Sequence, residues 1–183
     1  HGVMKKLYIF SIIVFSFVFS YGRTEAATVY VDKDAGCSNT GPGSDTQPLC
    51  SINTATQRAV AGDTVKVRDS ASPYDEDISF AHSGTSNANR IILEADTGHH
   101  PVLTKSGSAA TGEASYEDGL VRVHQKSFIT IRNLTFRNVN RAHVIVANNT
   151  GRGELADPML DGFVFEDNLI DGGGVASPTA TPG

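Results

Sequence analysis

The chain has 183 residues, a hydrophobic fraction of 39%, a charged fraction of 19% and a formal net charge of −5. This composition suits one folded domain with a buried core and argues against a disordered chain. The mild acidity and the lack of a long basic run argue against nucleic-acid binding, because neutralised phosphates supply most of that affinity.

The first predicted element is a secretory signal peptide over residues 1–27. Residues 4–6 (Met-Lys-Lys) are positively charged, residues 7–21 form an apolar run, and cleavage can follow the small residues Ala26 or Ala27. A transmembrane anchor is the competing interpretation, but the run is at the short end for a span. We therefore expect a secreted protein, extracellular or periplasmic, with no stable membrane span after cleavage.

Residues 28–63 are predicted to form an N-terminal strand, a loop and a helix. Residues 28–32 alternate and are β-branched or aromatic, which is typical of a strand. Cys37 and Cys50 are the only cysteines of the chain, and they flank a loop rich in Gly, Pro and Ser. In an exported protein such a pair indicates a disulfide. A metal site is not expected, because the chain has no third Cys and no His near the pair.

Ser51 can cap the helix that follows this loop. The apolar residues then recur at helical spacing, and Gly62-Asp63 is expected to end the helix. A single helix placed before a series of strands suits a lid over the open end of a β-stack. Its expected apolar face comprises Ile52, Ala55, Ala59 and Val60.

Residues 64–171 are predicted to be all-β. Short alternating runs are separated there by Asn, Gly or Asp, and no second helical pattern appears. The predicted strands are residues 64–67, 90–94, 101–103, 120–123, 128–131, 134–136, 144–146, 163–165 and 169–170.

The strand region contains a repeat. Residues 129–136 align with residues 163–170 at an offset of 34, whereas the strands at Val121 and Val144 are 23 residues apart. If one coil is about 23 residues long, an 11-residue insertion remains, and the polar stretch 148–158 is the obvious place for it. Stacked coils satisfy one another's strand edges.

The chain resembles the N-terminal portion of right-handed parallel β-helix proteins of the pectate-lyase-like superfamily. The resemblance lies in residues 28–68, in the polar turn and strand of residues 83–93, in the Gly-x-x-Pro-Val-Leu segment 98–103 and in the Ser-x-Ile-Thr-Ile-x-Asn-Leu-x-Phe coil within residues 127–138. It implies an all-β right-handed parallel β-helix (a β-solenoid) with one N-terminal capping helix.

The resemblance assigns the coils to residues 64–171 and leaves residues 172–183 as a Gly/Pro/Thr-rich tail or linker. No segment resembles a terminal cap that would protect the last coil's edge. We therefore expect the parallel β-helix to be truncated at the C-terminus, with catalytic coils beyond Gly183.

Relatives with this scaffold include polysaccharide lyases, and the resemblance implies β-elimination on a uronic acid. A basic residue removes the proton α to the carboxylate, and Ca²⁺ or an Arg stabilises the enolate-like transition state. Solvated turns are the competing interpretation for the acidic candidates and for the histidines below. The candidate Ca²⁺ ligands are Asp157, Asp161, Glu166, Asp167 and Asp171. The candidate substrate-binding residues are Arg122, His124, Lys126, Arg141 and His143.

Two further side-chain arrangements follow from the strand pattern. At the 23-residue offset, His143 would lie above Leu120 and Arg122 below Ile145. Glu94 and Asp96 are two residues apart and could share one face of a strand as a carboxylate pair for glycoside hydrolysis.

Two functions are expected from these features. The first is a secreted protein that acts on polysaccharide, in particular a uronate-directed lyase with Ca²⁺ as its only cofactor. The alternative is a non-catalytic surface, adhesin-like or glycan-binding module. In both cases the expected partner is a polysaccharide or a cell-surface glycan, and no catalytic residue is assigned.

Overall fold

The computed structural model describes residues 25–34, 36–105, 119–137, 142–147 and 161–171. Within these ranges it contains one helix and twelve strands. In chain order they are β1 Thr28–Val31, α1 Ile52–Arg58, β2 Thr64–Val67, β3 Tyr74–Asp75, β4 Ile78–Ser79, β5 Ile91–Ala95, β6 Val102–Thr104, β7 Gly119–His124, β8 Ile129–Arg132, β9 Thr135–Arg137, β10 Ala142–Ala147, β11 Val164–Glu166 and β12 Leu169–Asp171.

The strands form three parallel sheets. The first has the order β1-β2-β5-β8-β11, the second β3-β6-β9-β12 and the third β4-β7-β10. From β2 onward, successive strands enter the first, second and third sheets in turn, and every pairing is parallel. The prediction of an all-β fold is confirmed at this level, as a set of parallel sheets with a single helix in the described residues.

Apolar rows in register fill the space between the sheets. Val65, Leu93 and Ile131 are aligned in the first sheet and are fully buried. Leu103 and Phe136 form a buried row of the second sheet, and the Phe136 ring lies 5.6 Å from the ring of Phe165. Alternation along each strand sends every second side chain into this core, which explains why the sequence pattern located most of the strands.

The 23-residue coil length predicted from the sequence applies to one pair of strands and does not hold in the first sheet. In the first sheet Val65 pairs with Leu93, Ile91 with Ile129, and Thr130 with Val164, so successive strands are 28, 38 and 34 residues apart. The 23-residue spacing holds between β7 and β10. The difference between 34 and 23 puts eleven extra residues between β10 and β11. The predicted insertion at residues 148–158 falls in that connection, outside the described residues.

The helix follows its prediction at the N-terminus and departs from it at the C-terminus. Ser51 is the N-cap and its hydroxyl accepts a hydrogen bond from Thr54 N. The helix ends at Arg58, before Gly62, and Val60 is 38% exposed instead of buried. The reason is that the carboxylate of Asp63 binds the backbone N–H of Val60 at 2.8 Å and so fixes a non-helical turn.

The Cys37–Cys50 disulfide is present, with a Cα–Cα distance of 5.1 Å. Its loop is tied to α1, because the side chain of Asn39 accepts hydrogen bonds from Cys50 N at 2.9 Å and Ser51 N at 3.0 Å. The disulfide therefore braces the residues that start the helix. Residues 1–24 lie outside the described part of the chain. Among the described residues, no helix has the length and apolarity that a membrane span requires.

Candidate functional site

The outer face of the first sheet carries a row of charges in register. Lys66 on β2 is aligned with Glu94 on β5, which is aligned with Arg132 on β8 and then with Glu166 on β11. The Arg132 guanidinium lies 2.7 Å from the Glu94 carboxylate and 3.7 Å from that of Glu166. Hydrogen bonding to Glu94 raises the pKa of Arg132. The alternating signs hold neighbouring strands together on this face.

Asp96, just beyond β5, binds two cations on and directly after the neighbouring strand β2. Its carboxylate lies 3.2 Å from Lys66 Nζ and 3.1 Å from Arg68 Nε. Burial raises the pKa of Asp96, but hydrogen bonds from Arg68 and Lys66 outweigh that effect and lower the pKa below its usual value. The Arg68 guanidinium also stacks on Tyr30, 4.8 Å from the ring centroid. The loop after β5 is thus anchored at its first residue.

A cleft of about 550 Å³ lies where the first sheet turns into the second. Its position follows from unequal turn lengths. Six residues, 96–101, join β5 to β6, whereas only two residues join β8 to β9 and β11 to β12. The longer loop forms one side of the cleft, and the two short turns lie beside it.

The longer loop is held in place by contacts with the end of β2 and the residues that follow it. Asp69 N donates to His99 Nδ1 at 3.2 Å, and the Asp69 carboxylate accepts a hydrogen bond from His100 N. Asp96 N donates to Val67 O at 2.8 Å. These contacts give the cleft a fixed wall, as a preformed binding site requires.

The short turns present two polar side chains at equivalent positions. Asn133 and Asp167 stand directly after β8 and β11, and both have positive φ, 58° and 53°. Asn and Asp tolerate this left-handed conformation better than other non-Gly residues. Both side chains are exposed and line the cleft. In the described part of the chain, Asp167 has no ion-pair partner within 4 Å.

The predicted Ca²⁺ ligands do not come together. Asp161 is an exposed turn residue whose carbonyl accepts a hydrogen bond from Phe128 N at 2.8 Å. Glu166 faces Arg132, and Asp171 forms an ion pair with Arg137 at 3.0 Å. No group of three or more His, Cys, Asp or Glu side chains within the described residues could hold a metal ion. Asp157 lies outside the described residues.

Of the predicted substrate-binding residues, three are described with their side chains. Arg122 and His124 lie on β7, and Lys126 follows in the turn to β8; all three are partly exposed. Arg122 is aligned with Ile145, as the 23-residue offset predicted, and its Nε is buried without a hydrogen-bond partner in the described part of the chain. Arg141 lies outside the described residues, and the side chain of His143 on β10 is not described.

The Glu94 and Asp96 carboxylates both line the cleft, but each is already neutralised. A general acid for glycoside hydrolysis needs a raised pKa, whereas that of Asp96 is lowered. Moreover, β5 ends at Ala95, so the two residues do not share a strand. Their role in the described structure is to join β5 to its neighbours β2 and β8.

Sequence reasoning missed the cleft and the parts played by Asn133 and His99. The available signal was the contrast between the six-residue and two-residue connections after three consecutive strands of one sheet. Using that signal requires the strand register, which periodicity alone does not supply.

The comparisons with known proteins place the chain in a fold, without a family. No family model matches the chain. It is 27% identical over 158 residues to the uncharacterized protein YwoF of Bacillus subtilis (strain 168), and the match covers 84% of this chain and 32% of that protein. The chain therefore spans about a third of the length of that relative.

Among solved structures, the chain is similar to the GH136 lacto-N-biosidase of Eubacterium ramulus. Its selenomethionine derivative gives a TM-score of 0.50 at 15% identity, covering 79% of this chain and 26% of that chain. The native form of the same enzyme gives 0.49 at 16% identity and covers 30% of that chain. At this level the similarity to the derivative describes the fold alone.

Proposed function

We propose that the chain is part of a secreted right-handed parallel β-helix protein that binds polysaccharide, and that the cleft between the first and second sheets contacts the glycan. The regular passage of the chain through three parallel sheets supports the scaffold. The disulfide suits an oxidising compartment. The fold similarity to a lacto-N-biosidase favours carbohydrate as the ligand class, although similarity of fold does not transfer its reaction.

The polar cleft is the observation that carries this proposal. Its volume, about 550 Å³, falls within the range of about 300–1,000 Å³ typical of small-molecule sites. The Asp167 carboxylate can accept hydrogen bonds from sugar hydroxyls, and the Asn133 amide can donate and accept. Leu169, which is 58% exposed, adds an apolar contact at the same place.

The charge of the cleft favours a neutral, hydroxyl-rich segment of glycan over a uronate. The carboxylates of Glu94 and Asp96 are neutralised by Arg132, Lys66 and Arg68, which leaves the exposed charge of Asp167. A uronate carboxylate close to Asp167 would be repelled, whereas a hydroxyl would donate to it. Within the described residues, binding is therefore better supported than catalysis.

A substitution that preserves the turn tests the cleft. Asp167→Gly removes the carboxylate and keeps the positive φ, which glycine adopts without strain. We expect about tenfold weaker binding of a neutral polysaccharide, equivalent to one lost charge-assisted hydrogen bond. Gln125→Gly is the matched control, because Gln125 also has positive φ (52°) and is exposed but does not line the cleft. Affinity electrophoresis over a panel of polysaccharides measures both variants, and equal binding by both would contradict the proposal.

A uronate-directed lyase is the second candidate, and the observation that favours it is Arg122. Its buried Nε has no partner in the described structure, and a guanidinium is well suited to hold a uronate carboxylate. The test is the formation of unsaturated product from polyuronates, followed by ultraviolet absorbance with and without EDTA. Product formation that is lost in Arg122→Gln would establish the lyase function. Binding of polyuronate without product formation would instead support the glycan-binding function.

A further inference from the structure

The carboxylate of Asp63 connects the beginning of the described chain to the second strand. Asp63 is 6% exposed, and its Oδ1 accepts a hydrogen bond from the backbone N–H of Ala27 at 2.8 Å. Its Oδ2 accepts one from Val60 N, also at 2.8 Å. The carbonyl of Ala27 in turn accepts a hydrogen bond from Thr64 N at 2.9 Å. Ala27 is thus held through both of its backbone groups.

A nearly buried carboxylate is most stable when a positive charge compensates it. Both contacts of Asp63 are with neutral amides while the chain continues upstream of Ala27. If the chain begins at Ala27, the same nitrogen becomes an ammonium group at hydrogen-bonding distance from Oδ1, and the interaction becomes charge-assisted. Ala27 itself is exposed, so the remaining ammonium hydrogens can stay in water.

The sequence around this position points to the same bond. Cleavage after Ala26 would leave Ala26 at the last position of the leader and Thr24 two residues before it, both of them small, as an A-x-A-like site requires. Cleavage after Ala27 would instead put the charged Glu25 two residues before the last position of the leader, where a small residue is required. It would also remove both backbone hydrogen bonds that Ala27 makes with Asp63 and Thr64.

We propose that the chain is processed by a signal peptidase between Ala26 and Ala27, and that the new α-ammonium group of Ala27 pairs with Asp63. This inference rests on the proposed secretion of the protein. Asp63 then serves as an internal receptor for the processed N-terminus and fixes the first strand, β1, against β2.

The direct test is expression of the full chain, with its own leader, in a bacterial host, followed by intact-mass analysis and N-terminal sequencing of the exported protein. We expect a chain that starts at Ala27 and carries the disulfide. An exported chain that starts at Thr28 or elsewhere overturns the inference. A chain retained in the cell with its leader intact instead contradicts the proposed secretion, so the two failures are distinguishable.

The ion pair is tested by a double-mutant cycle on the chain that starts at Ala27. Acetylation of the N-terminus removes the charge, and Asp63→Asn removes its partner. In the Asp63 chain we expect acetylation to lower the ratio of folded to unfolded protein about three- to fivefold, as for an ion pair with one exposed partner. In the Asp63→Asn chain we expect no effect of acetylation. Equal effects in both chains would show that the ammonium does not interact with Asp63.

Discussion

Glu76 offers the sharpest test of how the helix is joined to the sheets. Its carboxylate accepts hydrogen bonds from Ser51 Oγ at 2.5 Å, Ile52 N at 2.9 Å and Asn53 N at 3.0 Å. The N–H groups of the first turn of α1 have no acceptors within the helix. A carboxylate at this end therefore accepts hydrogen bonds from two of them and also interacts favourably with the positive end of the helix dipole.

Glu76→Ala is expected to lower the free energy of unfolding by about 2–3 kcal/mol. Each charge-assisted bond contributes roughly 1.5–3 kcal/mol, but water can bind part of the N–H groups once the carboxylate is removed, so the loss is smaller than the sum. Ser51 retains its own capping bond to Thr54 N, which limits the loss further. Glu76→Gln keeps an acceptor without the charge and should lie between the wild type and Glu76→Ala.

Asp77→Ala is the matched control, because it removes the same charge from the adjacent residue. Asp77 forms an ion pair with Lys105 at 2.5 Å, and its side chain is 52% exposed. Such a pair contributes less than about 1 kcal/mol. Urea unfolding followed by circular dichroism measures all three variants. If Glu76→Ala and Asp77→Ala have equal midpoints, the carboxylate does not hold the helix in solution.

Three more predictions concern the sheets and the loop. The pKa of Asp96 in the folded state is lowered from its usual value of 3.8. The stability that this carboxylate contributes is therefore present above pH 3.8 and is lost as the pH falls through the folded-state pKa. In acid unfolding, Asp96→Asn should be less stable than the unsubstituted protein above that range and equally stable below it. Burial raises the pKa of Tyr74 to about 12. The stability that the neutral phenol contributes is therefore present below about pH 10 and lost as the pH rises through about 12. Tyrosinate absorbance should show a group that titrates late and is missing in Tyr74→Phe. Reduction of the Cys37–Cys50 disulfide, which spans 13 residues, should lower the free energy of unfolding by about 3 kcal/mol, and an unchanged urea midpoint after reduction would contradict this value.

The short-range features of the fold were predictable from the sequence. Alternation located ten of the twelve described strands to within one or two residues, and Ser51 was correctly placed as the N-cap. The two strands that were missed, β3 and β4, have two residues each. A pair of residues is too short to display a period of two, so only their pairing with β6 and β7 defines them as strands.

The candidate site was much less predictable, because its members are brought together by register. Glu94 and Arg132 are 38 residues apart, yet they are aligned and in contact. Asn133 and Asp167 occupy equivalent turns 34 residues apart. Connections of unequal length separate the paired strands of the first sheet, so the spacing of one pair does not reveal the spacing of the next.

The sequence by itself therefore determined the properties that depend on neighbouring residues: the alternating strands, the capped helix and the cysteine pair. Each of these follows from local hydrogen bonding or from the covalent order of the chain. Only the tertiary structure decided that Glu76 completes the cap of α1, that Asp63 receives Ala27, and that a cleft opens between the first and second sheets. These contacts depend on which strands are paired and in which register, and that is set by the packing of the apolar rows in the shared core.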